Sequence, residues 1–344
     1  MNAHLHPRLN TVDTDDADPA LVQQTLTQLS RQLIGKETQI SMALACLIAR
    51  GHLLIEDVPG VGKTTLAHAL SLTLGLPWQR VQFTSDLLPA DVLGVSIFNS
   101  QTSEFEFKAG PVFTSVLLAD EINRAPPRAQ SALLEAMEER QVTVDGVTRV
   151  LDESFFVIAT QNPTDQLGAF PLPESQLDRF LVGLEIGYPD AESERKLLME
   201  GDSRKALPAI SAIASPAVLR QWSAKASSLF VSEHLLDYVQ ALIAHTRRAQ
   251  SGESLTGTQA SDAQAPPQSA AAGYRPRPAN GLSPRAALSL LAMARAWAML
   301  HDQNHVLPED IQAVFPAVAG HRLTGSVRSG HALCREILDT VAVP

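Results

Sequence analysis

The chain has 344 residues, of which 45% are hydrophobic and 19% charged, as in a globular protein with one large domain and a smaller one. Its net charge of −10 argues against a protein whose main task is to coat nucleic acid, because phosphate binding needs a basic surface, and still allows a local basic channel. The start of the chain lacks a signal-peptide pattern and no apolar run approaches ~20 residues, so we expect a cytoplasmic protein with no membrane insertion.

The chain begins with a polar segment and then shows helical patterns. Residues 1–19 are acidic and are predicted to be a disordered tail. Apolar spacing predicts helices over residues 20–29 and 38–49. Ile34 and Gly35 lie between these two helices, and we group them with the candidate binding residues of the glycine-containing loop at residues 57–65.

A predicted strand at residues 53–56 leads into a glycine-containing loop, which is followed by a helix to about residue 74. Glycines allow backbone N–H groups to point at an anion, Lys63 can reach terminal phosphates, and the Thr64 hydroxyl can bind Mg²⁺. Asp57 stands where the usual pattern has its first glycine. The loop predicts a nucleotide site formed by Pro59, Gly60, Val61, Gly62, Lys63, Thr64 and Thr65.

Strands and helices alternate through the rest of the first half. Strands are predicted at residues 80–83, 112–118, 155–159 and 180–186, a helix at 128–139, and hairpins at 97–108 and 141–150. This alternation predicts an α/β fold whose parallel sheet is covered by helices on both faces. We assign residues 20–188 to this core domain.

The second half is predicted to be helical. Helices are expected at residues 191–199, 216–225, 233–246, 285–300 and 308–315. We therefore assign residues 189–344 to a smaller all-α domain. Residues 250–281 are rich in Ser, Ala, Gln, Gly and Pro, and they are predicted to be a flexible low-complexity insertion.

Polar residues follow two of the predicted strands, at the edge where open α/β sheets bind ligands. Asp120 can hold Mg²⁺, and Glu121 can polarise a water aimed at the γ-phosphate. Asn162, after the next sheet strand, is expected near the same phosphate. A carboxylate pair that caps the strand end and a turn-forming asparagine are the alternatives.

The sequence allows more than one role for each of two arginines. Arg179 can act within its own subunit, lie on the surface, or reach the nucleotide of a neighbouring copy. Arg285 follows a helix-capping Ser283 and can point at phosphate or be solvated in the first helical turn.

The chain resembles the MoxR family of AAA+ ATPases. The resemblance covers about residues 20–340 without the insertion. Five stretches carry it. The first two are the phosphate loop at 53–64, including the aspartate at its first glycine position, and the family's most distinctive stretch at 120–137. The other three resemble sensor 1 at 159–163, the arginine-finger region at 172–180 and sensor 2 at 281–286.

This resemblance implies an AAA+ core with a helical lid that binds ATP and Mg²⁺. Lys63, Thr64 and Asp120 would bind ATP–Mg²⁺, Glu121 would be the catalytic base, and Asn162 would be sensor 1. Arg179 would act in trans within an oligomer, usually a homo-hexameric ring, and Arg285 would couple nucleotide state to lid position. The region of residues 86–113 would carry the helix-2 insert, which, with the hairpin at 141–150, would face the ring pore.

The leading hypothesis is therefore a chaperone-like ATPase that remodels, assembles or activates a partner protein. The resemblance implies a partner that often contains a von Willebrand factor A domain. The alternatives are an AAA+ motor acting on nucleic acid, which the acidic charge disfavours, and a nucleotide-gated binding scaffold, which Glu121 argues against.

Overall fold

The computed structural model describes residues 19–162, 169–200, 210–251 and 281–343. The predicted tail up to residue 18 and residues 252–280 of the predicted insertion lie outside these ranges. The helices are α1 Pro19–Ser30, α2 Glu37–Ile48, α3 Lys63–Thr73, α4 Pro89–Leu93, α5 Pro127–Glu139, α6 Glu174–Leu177, α7 Ala191–Glu200, α8 Pro216–Ser228, α9 Glu233–Ser251, α10 Pro284–Leu300, α11 Pro308–Thr324 and α12 Val327–Thr340.

A parallel five-stranded sheet forms the centre of the first half. Its strands are β1 Leu53–Glu56, β2 Trp78–Gln82, β5 Val116–Asp120, β8 Phe156–Gln161 and β9 Val182–Leu184. Their order is β2-β5-β8-β1-β9, and every neighbouring pair is parallel. The carboxyl ends of β5, β8 and β1 consequently lie side by side at one edge of the sheet.

Alternate side chains of the sheet belong to two apolar clusters. One cluster packs against α2, α3 and the C-terminal helices, and its strand members are Leu53, Ile55, Val116, Leu118, Phe156, Ile158, Val182 and Leu184. The other packs against α5, and its strand members are Leu54, Leu117, Ala119, Val157 and Ala159. Both sheet faces are thus covered, which confirms the predicted architecture and accounts for the nearly continuous apolar character of these strands.

Two hairpins project from this core. The first pairs β3 Gly94–Asn99 with β4 Glu104–Ala109, and the second pairs β6 Gln141–Val144 with β7 Val147–Val150. Asp145 and Gly146 turn the second hairpin with φ of 52° and 75°, the left-handed pair that a two-residue turn of this type requires. Both hairpins confirm the sequence-based expectation.

The C-terminal region is helical, as predicted, but two of its features differ from the prediction. The helix expected to end at residue 315 continues as α11 to Thr324 and carries Pro316 inside it. Buried Phe315 and Val318 lie on either side of that proline, so packing outweighs its local cost. Helix α12 was not predicted, although its buried Val327, Leu333 and Ile337 follow helical spacing.

Candidate functional site

A cavity lies at the carboxyl edge of the sheet, where β1, β5 and β8 end. Its volume is about 730 Å³. The predicted site residues that line it are Ile34, Pro59, Gly60, Val61, Gly62, Lys63, Thr64, Thr65, Asp120, Glu121 and Asn162. The structure therefore brings together residues from three neighbouring strand ends, which is where an open α/β sheet binds a ligand.

The loop between β1 and α3 has the geometry of an anion cradle. Gly60 and Gly62 adopt φ of 90° and 102°, a region that other residues rarely occupy. Helix α3 begins at Lys63, directly after Gly62. The N–H groups of its first turn have no partner within the helix and carry the positive end of the helix dipole.

Lys63 is held inside this loop. Its Nζ donates to the backbone oxygen of Asp57 at 2.6 Å and to that of Val58 at 3.2 Å. Burial lowers the pKa of Lys63, whereas the charges of the nearby carboxylates, including Asp57, raise it. Because a charged phosphate oxygen is a stronger acceptor than a neutral carbonyl, Lys63 is placed to exchange these bonds for an anion.

Asp120 is fixed through both of its carboxylate oxygens. Arg80 Nη2 lies 2.5 Å from Oδ2, and the Thr160 hydroxyl donates to Oδ1 at 2.6 Å. The Asp120 side chain is 12% exposed, so its charge faces the cavity with little access to bulk water. Arg80 therefore supplies the positive charge next to Asp120 in this structure.

Glu121 follows β5 with a left-handed backbone, at φ of 55°. Its backbone N–H donates to the Thr160 hydroxyl at 2.9 Å, which fixes the turn. Its Oε2 accepts hydrogen bonds from Gln82 Nε2 and from Arg124 Nη1, both at 2.8 Å. Thr160 thus holds the backbone of Glu121, and Gln82 and Arg124 hold its carboxylate. Sequence reasoning did not connect these three residues with Glu121.

Of the remaining nucleotide-binding predictions, Asn162 and Ile34 line the cavity, and Gly35 is not among its lining residues. Asn162 is buried and lines the cavity just after β8, next to the strand that carries Asp120. Ile34 lines the same cavity. Gly35 lies directly behind Ile34 with φ of 71°, and a Cβ on it would come within 2.3 Å of Ser193 Oγ on α7. Gly35 therefore packs the first loop closely against the helical region.

The two predicted arginines lie elsewhere. Arg179 Nε and Arg285 Nη1 both pair with Glu138, at 2.9 and 2.8 Å. Together with Arg50 and Arg140 they line a different, arginine-rich cavity of about 330 Å³. Among the described residues around the cavity of Lys63, neither Arg179 nor Arg285 is present. The structure thus joins these two arginines to each other and separates them from the phosphate loop of their own chain.

The first cavity fits a nucleoside triphosphate with its metal ion. The positive-φ glycines and the start of α3 suit the phosphates, and Lys63 suits their charge. Thr64 and Asp120 supply hydroxyl and carboxylate oxygens, the donor type that Mg²⁺ prefers. A bound Mg²⁺ would neutralise charge that develops on the phosphates.

Sequence reasoning missed Arg80, Gln82 and Thr160. Arg80 and Gln82 are two residues apart on β2, so they share one face of the strand, and β2 pairs with the strand that ends in Asp120. That i, i+2 pair of polar residues in a predicted strand is the signal that would have found them. Thr160, fully buried at the end of β8, carried a weaker signal because threonine is common in strands.

Comparison with known families agrees with this geometry. A profile of the ATPase family associated with various cellular activities (AAA) matches residues 52–182. A profile of the AAA lid domain matches residues 275–339. The first range runs from the start of β1 into β9, and the second contains α10, α11 and nearly all of α12. The two matches therefore fall on the sheet region and on the C-terminal helices.

Individual proteins match over almost the whole chain. The chain is 37% identical to the uncharacterized protein YeaC of Bacillus subtilis, over 96% of this chain and 97% of that protein. It is 35% identical to Chaperone MoxR1 of Mycobacterium tuberculosis, over 95% of this chain and 84% of that protein. The crystal structure of a candidate ATPase from Cytophaga hutchinsonii matches with a TM-score of 0.79 at 33% identity, covering 95% of this chain and 96% of that one.

Within the described ranges, no helix combines the length and the apolar character needed to cross a bilayer.

Proposed function

The chain belongs to the MoxR family of AAA+ ATPases, and from that membership we propose that it hydrolyses ATP with Mg²⁺ to remodel, assemble or activate a partner protein. The proposal includes a ring-shaped homo-oligomer, a hexamer, acting in the cytoplasm. One observation carries it. Lys63 at the start of α3, Asp120 and Glu121 at the end of β5, and Asn162 after β8 line a single cavity.

We assign each of these residues a role in that reaction. Lys63 would exchange its carbonyl partners for the phosphates of ATP, and Thr64 and Asp120 would hold Mg²⁺. Glu121 orients and polarises the attacking water once its carboxylate is no longer fully engaged by Gln82 and Arg124. In-line attack on the γ-phosphate needs mainly positioned charges and an oriented water, which this set provides.

The position of Arg179 and Arg285 supports a site shared between subunits. Both arginines lie in the second cavity, away from the Lys63 of their own chain. Arginines supplied by a neighbour accelerate phosphoryl transfer by roughly 10³–10⁵-fold in related nucleotide hydrolases. We therefore assign Arg179 to the nucleotide of the adjacent subunit. Arg285, which shares Glu138 with it, belongs to the same interface and carries lid position to that site.

The hairpins supply a surface for the partner protein. Phe98 and Phe105 of the first hairpin are 54% and 74% exposed, and their rings meet edge to face with centroids 5.4 Å apart. Arg149 of the second hairpin lies over the Phe107 ring at 3.8 Å, which joins the two hairpins. A protein partner, which we propose contains a von Willebrand factor A domain, would meet this exposed aromatic surface.

A Glu121→Gln substitution tests the proposal. Loss of the base should lower ATP turnover by about 100-fold or more, while ATP affinity stays within a few-fold, because the phosphate loop is untouched. The measurements are phosphate release and equilibrium binding of ATP. Glu135→Gln, on the exposed side of α5, is the matched control and should behave like the unchanged chain. Full turnover by Glu121→Gln would contradict the assigned base.

A further inference from the structure

Two adjacent carboxylates lie where β1 passes into the phosphate loop: Glu56 ends the strand and Asp57 begins the loop. Neither points at the nucleotide cavity in the way that Asp120 and Glu121 do, since both make hydrogen bonds across the boundary between the sheet and the C-terminal region. Asp57 is only 2% exposed. Burying a carboxylate costs free energy unless its oxygens accept hydrogen bonds. The donors that bind Asp57 therefore indicate its structural role.

Asp57 binds the segment where the chain leaves the sheet. Its Oδ1 accepts from the N–H of Val58 at 2.8 Å, and its Oδ2 accepts from the N–H of Gly187 at 2.6 Å. Gly187 lies between β9 and α7 with φ of 69°, a conformation that glycine adopts without strain. Lys36 Nζ holds the next residue by donating to the Tyr188 oxygen at 2.8 Å. Asp57 thus holds in place the segment that leads from β9 to the helical region.

Glu56 binds the start of α12. Its Oε2 accepts from the N–H of Val327 at 2.6 Å, and its Oε1 accepts from the Ser326 hydroxyl at 3.0 Å. In the part of the chain that the structure describes, the Ser326 side chain makes no capping bond to its own helix. A strand residue therefore caps a helix of the lid and places a negative charge at its positive end.

The phosphate loop also contacts Asp57, through its backbone. Lys63 Nζ donates to the backbone oxygen of Asp57 at 2.6 Å. When Lys63 turns to a phosphate it leaves that oxygen, and the change occurs at the residue whose side chain holds Gly187. The phosphate loop and the linker to the lid therefore meet at Asp57, and the adjacent Glu56 binds the start of α12.

We propose that Glu56 and Asp57 are positioning residues that transmit nucleotide occupancy from the phosphate loop to the lid. This inference rests on the proposed ATP-binding function. It accounts for the aspartate at the first position of the loop: glycine there would leave the cradle of Gly60 and Gly62 intact but would leave the N–H of Gly187 without its acceptor. Asp57 is not among the described non-glycine residues with positive φ, so its backbone does not require glycine.

The test uses Asp57→Gly, which restores the usual first glycine of the loop, with the non-hydrolysable analogue AMP-PNP and Mg²⁺ as the probe. Binding is measured by calorimetry and local opening by amide hydrogen exchange. In the unchanged chain, the analogue should increase protection at residues 185–190 and 326–331. Asp57→Gly should bind the analogue within about tenfold of the unchanged chain but lose most of that increase at residues 185–190. Asp57→Asn, which keeps one acceptor oxygen, should retain part of it.

Glu56→Gln gives a second, independent reading. It removes the charge at the start of α12 and should reduce the analogue-dependent increase at residues 326–331. Glu185→Gln is the matched control, because Glu185 Oε1 accepts from Arg328 Nε at 2.8 Å and joins β9 to the same helix through an exposed ion pair. It should respond to the analogue as the unchanged chain does.

The outcomes separate the two proposals. A full increase in protection with Asp57→Gly and Glu56→Gln would overturn the coupling role and leave the ATPase assignment standing. Equal loss in Glu185→Gln would also overturn it, because any sheet-to-lid bond would then suffice. Failure of the unchanged chain to bind AMP-PNP or ATP would overturn the proposed function and this inference with it.

Discussion

At the scale of single residues, the two carboxylates of the first cavity are already occupied by other side chains. Asp120 and Glu121 are each held by a cation, Arg80 and Arg124, and by a neutral donor. These bonds keep two negative charges close together in a cavity with limited solvent, where they would otherwise repel each other. A metal ion or a water that binds there competes with groups already in place.

Arg80→Ala should make Mg²⁺ binding easier. Arg80 lies 2.5 Å from Asp120 Oδ2, so removing it frees that carboxylate oxygen to bind a metal ion. We expect the Mg²⁺ concentration at half-maximal ATP turnover to fall by about threefold or more. The measurement is a Mg²⁺ titration of phosphate release at fixed ATP. Arg128→Ala, an exposed arginine on α5, is the control, and an unchanged or higher midpoint for Arg80→Ala would contradict competition.

At the scale of elements, strand β1 has polar residues next to both of its ends. Its carboxyl end carries Glu56 and Asp57, and just before its amino end lies buried His52. His52 Nδ1 accepts from the N–H of Val157 at 3.0 Å, and Nε2 lies 3.2 Å from the Met137 oxygen, to which it can donate. The ring serves as one donor and one acceptor, which is the neutral form, and burial lowers the pKa of His52 to about 3.

This histidine should make stability depend on pH. Between its folded pKa of about 3 and its ordinary value of 6.5, the unfolded chain binds a proton that the folded chain does not. Its contribution to the free energy of unfolding is therefore complete above pH 6.5, and at pH 5 it should be lower by about 2 kcal/mol. Buried His321, whose pKa is also lowered by burial, acts in the same direction. Urea unfolding at several pH values measures the slope.

His52→Gln is the informative variant for this slope, because an amide can donate and accept without titrating in this range. It should lose a large part of the decrease between pH 6.5 and pH 5. His234→Gln, on the exposed surface of α9, should keep it. A slope that is unchanged in His52→Gln would show that other groups produce the pH dependence.

Elements with a strong local signal could be predicted from the sequence, and those fixed by tertiary contacts could not. The Asp145-Gly146 turn and the strand-loop-helix around Lys63 depend on residues close in sequence. By contrast, α11 continues through Pro316 because its neighbours are buried. The same holds in the site: Lys63 and Asp120 belong to a recognisable pattern, but the contact between Arg80 and Asp120 spans 40 residues and depends on strand pairing.

At the scale of the whole molecule, the predicted site residues lie in two separate cavities. One holds Lys63 and the carboxylates, and the other holds Arg179 and Arg285. Under the proposed shared site, a single subunit would lack the arginines near its own nucleotide, and the arginine-rich cavity of one copy would face the phosphate loop of the next.

Mixing two inactive variants tests this arrangement. Arg179→Ala and Lys63→Ala subunits should each lose most of their ATP turnover alone. In a mixed ring, an interface that pairs the intact Lys63 of one subunit with the intact Arg179 of its neighbour should regain activity. When equal amounts of the two variants mix at random, about a quarter of all interfaces are of this kind. Phosphate release from the mixture is measured against the sum of the separate samples. No recovery in mixed rings, confirmed by their co-purification, would argue against action in trans.

The shared use of Glu138 has a consequence for how such an interface works. One carboxylate balances two guanidinium groups, and all three side chains are only partly buried, so each pairing is weak on its own. In the proposed ring, the triphosphate of a neighbour would draw Arg179 away and leave Glu138 as the counter-ion of Arg285 alone, so the energies of the two arginines would be linked. This one acidic side chain would then give the proposed ring a route to cooperativity between its subunits.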